Sequence, residues 1–263
     1  MDLLSAARDL AQLGGNTARA LLGSVSVERK QDNTPVTEAD HRVQAAMLAV
    51  IAQCFPTHSI IVEESVPHPE RHTAIRSAEY CWVIDPVDGT RNFARGSTMY
   101  ATSVGVLLAG EPIVGAIYDA STGRTYSAVR GGGAYCDGQP IRVTSHANPA
   151  DTTVLLSSFR RRPMEKAVAG WMNQLLYRNL GSLCLHLAWV AAGYADAAYA
   201  PECKLWDLAA GSLLIEEAGG VVTDVAGQRI WPMEINAYRG EDIPILVGAP
   251  AMHEQLLESL RND

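Results

Sequence analysis

The chain has 263 residues, 48% of them apolar and 19% charged, with a formal net charge of −8. That size and composition suit one large globular domain or two intimate halves and exclude a disordered chain. The acidic balance argues against a nucleic-acid polymer as main partner. It still admits a small anionic substrate, because a bound divalent cation inverts the local field.

No run approaches the roughly 18 apolar residues of a membrane span, so no membrane partner is expected. Arg8, Asp9 and Arg19 interrupt the first segment, which therefore lacks a signal-peptide core. The five cysteines (Cys54, Cys81, Cys136, Cys184, Cys203) form no CxxC pair and are odd in number. Reduced thiols and a cytoplasmic location are expected.

Residues 2–22 are Ala/Leu-rich at helical spacing and predict an amphipathic helix, with Gly14-Gly15 a candidate break. A short strand at 24–27 and a polar loop at 29–34 follow. Residues 35–40 open a second helix running to Cys54, with Thr37 and Asp40 placed as a capping box. Asp40 is thus either first-turn helix electrostatics or a carboxylate directed toward a site. Residues 59–62 predict a strand ending in Glu63-Glu64. Adjacent side chains on an extended chain diverge, so only one of these glutamates is expected to face a given ion. Residues 68–77 read as a loop.

Residues 82–84 (Trp-Val-Ile) are a buried strand that Pro86 is expected to stop. Asp85 and Asp88 then lie on a turn, which is either a cation site or a plain surface turn. Residues 91–93 start a helical turn with Thr90 as its cap, and such an N-terminus offers amides to an anion. Strands are predicted at 98–108, 113–118 and 124–129, with an Asp137-Gly138 hairpin beyond. Gly131-Gly132-Gly133 lacks the spacing of a phosphate loop and reads as turn chemistry.

Residues 144–151 mark a boundary between halves 1–143 and 144–263. Then come a strand at 154–157, a basic loop carrying Arg160, Arg161 and Arg162, a helix at 164–176 and a strand at 177–180. A helix follows to Ala192 with His186 packed inside it, and then a strand at 195–199. A helix at 205–218 carries Asp207 in its first turn. Strands at 221–223 and 245–248 and a helix at 251–260 close the chain.

Acids thus recur at element boundaries: Asp40, Glu63-Glu64, Asp85 with Asp88, and Asp207. The set resembles the inositol monophosphatase family of lithium-sensitive, Mg²⁺-dependent phosphatases. The resemblance is carried by residues 36–40 (VTEAD), 63–65 (EES), 82–93 (WVIDPVDGTRNF) and 206–211 (WDLAAG), supported by Gly181-Ser182 and residues 216–220 (EEAGG). It implies an α/β fold, a layered α-β-α-β-α sandwich with the metal site between two αβ halves, and a homodimer.

The resemblance also implies roles. Glu63, Asp85 and the Val87 carbonyl would hold one Mg²⁺, and Asp85, Asp88 and Asp207 a second. Glu63 with Glu64 would serve a weaker third ion. Mn²⁺ could substitute and Li⁺ inhibit. Asp40 and Thr90 would orient and deprotonate the attacking water, and the Gly89 and Thr90 amides would hold the phosphate. Ser158, Gly181, Ser182, Glu202 and Asp207 are the candidate substrate contacts. Many members carry a hydroxyl-reading glutamate six residues before the tryptophan of the Trp-Asp pair; here that position is Ala200, and the nearest acid is Glu202. Leu183 also stands where a small residue is usual. An inositol-1-phosphate-like monoester is the first substrate candidate. Histidinol phosphate, fructose 1,6-bisphosphate and 3′-phosphoadenosine 5′-phosphate are alternatives. A non-catalytic binding protein of the same fold is a further one.

Overall fold

The computed structural model describes residues 2–24, 26–29, 35–65, 79–145, 151–159 and 163–262. The loop expected at 68–77 and the arginines Arg160 to Arg162 lie outside them.

Helix α1 (Leu3–Leu21) starts where the Asp2 carboxylate accepts the Ser5 N–H at 2.9 Å. It runs unbroken through Gly14-Gly15, contrary to the expected break. A Cβ on Gly15 would lie 2.0 Å from the Tyr118 ring, and one on Gly14 2.6 Å from Thr102 Cγ2. The two glycines let the helix axis approach the sheet, and that packing outweighs their helix penalty of about 1 kcal/mol each. Gly15→Ala is expected to destabilise the protein by roughly 1–3 kcal/mol through overpacking, read as a lower urea midpoint at unchanged slope.

Strands β1 (Val27–Arg29) and β2 (Pro35–Thr37) form an antiparallel pair, so the first strand lies further along the chain than residues 24–27. Helix α2 (Glu38–Cys54) follows, with its apolar positions Val43, Met47 and Ile51 fully buried. Then come β3 (Ser59–Val62), β4 (Tyr80–Asp88), the short α3 (Thr90–Phe93), β5 (Ala101–Leu108), β6 (Glu111–Asp119), β7 (Arg124–Val129), β8 (Gly133–Cys136) and β9 (Gln139–Pro140). These seven strands form one sheet in sequence order, parallel only between β3 and β4. The expected hairpin at Asp137-Gly138 is present, with both residues at positive φ.

The remaining elements are β10 (Thr153–Leu156), α4 (Lys166–Gln174), β11 (Leu176–Arg178), α5 (Leu183–Ala191), β12 (Ala197–Ala200), α6 (Leu205–Glu217), β13 (Val221–Asp224), β14 (Ile245–Gly248) and α7 (Pro250–Arg261). Their strands make a second sheet in the order β11-β10-β12-β14-β13.

The layers follow from which faces are apolar. Helices α1 and α2 cover one face of the seven-stranded sheet with Leu10, Val43, Met47, Trp82, Val104 and Tyr100 between them. Helices α5 and α6 fill the space between the two sheets. Helices α4 and α7 cover the outer face of the second sheet, around Trp171, Tyr199 and Leu256. The result is the α-β-α-β-α sandwich. Helix α6 sits in the middle layer and has no solvent face, which explains why residues 208–215 are all buried. The first sheet ends at Pro140 and the second begins at Thr153. We propose two halves, 1–143 and 144–263, each built on one of the two large sheets.

One expectation fails at the centre of the chain. Strand β4 does not stop at Pro86 but continues to Asp88. Asp85 pairs with Ser103 and Asp88 with Ala101, so β4 carries one extra residue between them. This is a β-bulge, a place where a sheet tolerates proline. The Pro86 carbonyl is satisfied by the Thr102 hydroxyl at 2.8 Å. The partner strand β3 has already ended opposite Ile84, so the proline costs no ladder bond on that side.

Candidate active site

The bulge re-aims Asp85 and Asp88 into the gap between the sheets, where they meet Asp207. Asp85 is 1% exposed, which rules out the plain surface turn. Each acid is anchored through one oxygen. Asp85 Oδ1 accepts the Val87 N–H at 3.0 Å. Asp88 Oδ2 accepts the Ser182 hydroxyl at 2.5 Å and the Cys184 N–H at 2.6 Å. Asp207 Oδ2 accepts the Lys204 N–H at 2.9 Å, three residues back, so its first-turn capping role is real as well. Asp40 follows the same plan. Its Oδ2 accepts both the N–H (2.8 Å) and the hydroxyl (2.6 Å) of Thr37, while its Oδ1 faces the Thr90 hydroxyl at 3.4 Å. Asp40 therefore caps α2 and points into the site; the two sequence readings are one geometry.

Burial pushes the carboxyls of Asp85 and Asp207 well above the usual carboxylate range. The charges of Glu63 and Asp88 push both further, and for Asp85 that of Asp207 as well. Asp88 is raised too, chiefly by burial, although its bonds from Ser182 and Cys184 pull it down. Asp85 and Asp207 each lie close enough to perturb the other, so the clustered carboxylates repel and favour a bound cation.

Glu63 and Glu64 form a 3-10 turn with Ser65 instead of an extended end, so the alternation expected of them does not apply. Glu63 is the one whose charge reaches Asp85, Asp88 and Asp207; Glu64 is half-buried beside it.

The N-cap of α3 is Gly89, not Thr90. Gly89 takes the left-handed conformation (φ +96°) and leaves only 3.0 Å to the Met99 carbonyl for an added Cβ. This releases the Thr90 hydroxyl to lie between the Val87 carbonyl (3.0 Å) and Asp40.

A cleft of about 590 Å³ opens over Asp88 and Asp207. Ser158, Gly181, Ser182 and Glu202 line it together with Leu183, and Gly89 and Thr90 are not among its lining residues. Ala200 is fully buried at the end of β12. The acid that this wall presents to the cleft is therefore Glu202.

Three residues that sequence reasoning did not place also build the site. Asn92 Nδ2 donates to the carbonyls of Met99 (2.7 Å) and Leu180 (2.8 Å), tying the metal-motif helix to the loop at 179–182. His186, read as merely packed, is buried, yet it lines the cleft and its Nε2 accepts the Leu180 N–H at 2.9 Å. Burial lowers its imidazole to about 3, so it stays neutral and keeps that acceptor. Cys184 sets its thiol within 4.8 Å of carboxylate oxygens of Asp85 and Asp88. Burial, reinforced by the aspartate charges, raises that thiol well above its ordinary value, so it remains protonated. Nothing local in the sequence signals these links, because each joins segments far apart in the chain.

Residues 2–263 match the family model described as the inositol monophosphatase family. The chain belongs to the inositol monophosphatase family. It is 37% identical over 208 residues to "Nus factor SuhB" of Pasteurella multocida, covering 75% of this chain and 74% of that one. It is 32% identical over 228 residues to "Inositol monophosphatase 1" of Sus scrofa, covering 83% and 82%. Among solved structures, an IMPase of Thermotoga maritima superposes with a TM-score of 0.86 at 28% identity over 100% of this chain and 98% of that one.

Proposed function

We propose that this cleft hydrolyses a small phosphate monoester by direct attack of water, releasing inorganic phosphate. One observation carries the reading. Glu63, Asp88 and Asp207, all partly buried, converge on the buried Asp85 beside the Asp40–Thr90 pair. Hard carboxylate oxygens with no nitrogen ligand suit Mg²⁺, with Mn²⁺ as a substitute. The mutual repulsion of the clustered carboxylates is what such cations relieve. Glu63, Asp85 and the second lone pair of the Val87 carbonyl would hold one, and Asp85, Asp88 and Asp207 another; Glu63 with Glu64 would hold a weaker third. When bound, the cations neutralise phosphate oxygens, acidify water and stabilise the leaving oxygen.

The chain's own residues do the rest. Thr90 Oγ and Asp40 Oδ1 orient the attacking water, and Asp40 receives its proton. The Gly89 and Thr90 amides hold the phosphate. Ser158, Gly181, Ser182 and Glu202 contact the leaving alcohol, with Asp207 bordering it. Inositol-1-phosphate is the first candidate for that alcohol's ester. Histidinol phosphate, fructose 1,6-bisphosphate and 3′-phosphoadenosine 5′-phosphate are the alternatives. A homodimer and a cytoplasmic location complete the proposal; the location rests on five cysteines that form no disulfide among the described residues. No described helix is long and apolar enough to cross a membrane.

A second reading, a regulatory or binding protein, is favoured by the name of the SuhB relative. Retention of every metal-type acid speaks against it. Phosphate release from this panel in Mg²⁺ separates the two. Turnover that vanishes in EDTA and falls with added Li⁺ is expected; no release from any ester favours the binding protein.

A further inference from the structure

Three arginines stand on the cleft lining together with the acids Asp88, Glu202 and Asp207. They are Arg29, Arg91 and Arg95, in a protein with 21 basic residues and a net charge of −8. They arrive from two separate elements. Arg91 and Arg95 stand four apart, directly after the Gly89-Thr90 turn, on one face of the helical turn that α3 begins. Arg29 ends β1, the strand paired with the segment that delivers Asp40. Leu183 and Glu202 also line the cleft, while Ala200 is fully buried and presents nothing to it. Asp88 and Asp207 belong to the cation cluster, which leaves Glu202 as the other carboxylate on the lining.

We infer that Arg29, Arg91 and Arg95 form a site for a second phosphate on the substrate, so that the preferred substrate class is a phosphomonoester bearing an additional phosphate rather than a simple polyol monophosphate. This rests on the phosphatase reading above. The scissile phosphate lies against the cation cluster and the 89–90 turn. The second phosphate lies along the arginine wall, where planar guanidinium forks match phosphate oxygens in pairs. A volume of about 590 Å³ is ample for two phosphates and the sugar or nucleoside between them. Because the arginines are exposed, their contribution is screened by salt.

The test is the ratio of kcat/KM for 3′-phosphoadenosine 5′-phosphate and for fructose 1,6-bisphosphate, each relative to inositol-1-phosphate, at saturating Mg²⁺. At least one bisphosphate is expected to exceed inositol-1-phosphate by about tenfold or more, the worth of a single good charge-assisted contact. The triple variant R29A/R91A/R95A is expected to erase that ratio, mainly through KM, and raising ionic strength to 0.5 M is expected to shrink it. The control R239A, an exposed arginine away from the cleft, is expected to keep it. A wild-type preference for inositol-1-phosphate, or a ratio unmoved by the triple variant, overturns the inference while leaving the phosphatase reading intact. Equilibrium binding of 3′-phosphoadenosine 5′-phosphate isolates the other case. Arginine-dependent binding with no phosphate release from any ester would retain the second-phosphate site and sink the phosphatase reading.

Discussion

Replacing Asp85 by Asn is expected to lower cation-dependent phosphate release by about a thousandfold or more, while raising the thermal midpoint of the cation-free protein. The first effect follows from position. Asp85 is the acid shared by both proposed cation sets, so its loss weakens each. Removal of one charge-stabilising group at a reacting centre costs on the order of 10²–10³, and this one serves two ions. The second effect follows from the electrostatics. Burial and the charges of Glu63, Asp88 and Asp207 raise its carboxyl in the folded state. A carboxyl whose folded value lies above its unfolded value favours folding fully at pH below about 3.9 and loses that contribution as pH climbs through the raised value. The neutral amide escapes this loss. The difference in midpoint between Asp85→Asn and wild type should therefore widen from about pH 4 toward pH 8 in EDTA and shrink when Mg²⁺ is added. Thermal melts across that range check it. A variant with wild-type turnover would refute the cluster as the catalytic centre.

Asp40→Asn separates a structural from a chemical role in one side chain. Asp40 is the N3 residue of the α2 capping box, and its Oδ2 accepts the N–H of the N-cap Thr37. The amide oxygen can occupy that place, so the stability cost should stay near or below 1 kcal/mol. The other oxygen, 3.4 Å from the Thr90 hydroxyl, becomes an amide nitrogen that accepts no proton. Activity is expected to fall by about 10²–10⁴, the usual worth of a positioned general base, with KM little changed. Asp40→Ala should show the same catalytic loss plus the loss of the cap. Urea denaturation and steady-state kinetics on both variants read the two roles independently. If Asp40→Asn keeps its turnover, Asp40 is a helix cap and nothing more.

Helix and strand positions were largely readable from the chain because each sits on a local pattern. Residues 59–62, 124–129 and 245–248 match β3, β7 and β14 residue for residue. The acids were readable for the same reason, each lying beside a small or apolar element end. Two local rules misled. The glycine pair in α1 looked like a break, and Pro86 looked like a stop. In both cases a partner distant in sequence supplied the reason: Tyr118 and Thr102 need the glycines, and the register against β5 needs the bulge.

The sequence by itself determined the acid set, its order and the alternation of elements that builds a layered α/β sandwich, because hydrophobic period and boundary residues are local properties. Only the tertiary structure decided which oxygen of each acid is anchored and which is presented, since that depends on Ser182, Cys184, Lys204 and Thr37 reaching Asp88, Asp207 and Asp40. It likewise decided that Arg29, Arg91 and Arg95 share a cleft with Glu202. Those residues are separated by up to 173 positions in the chain, and no pattern of local spacing records a meeting that only the packing of two sheets around α5 and α6 brings about.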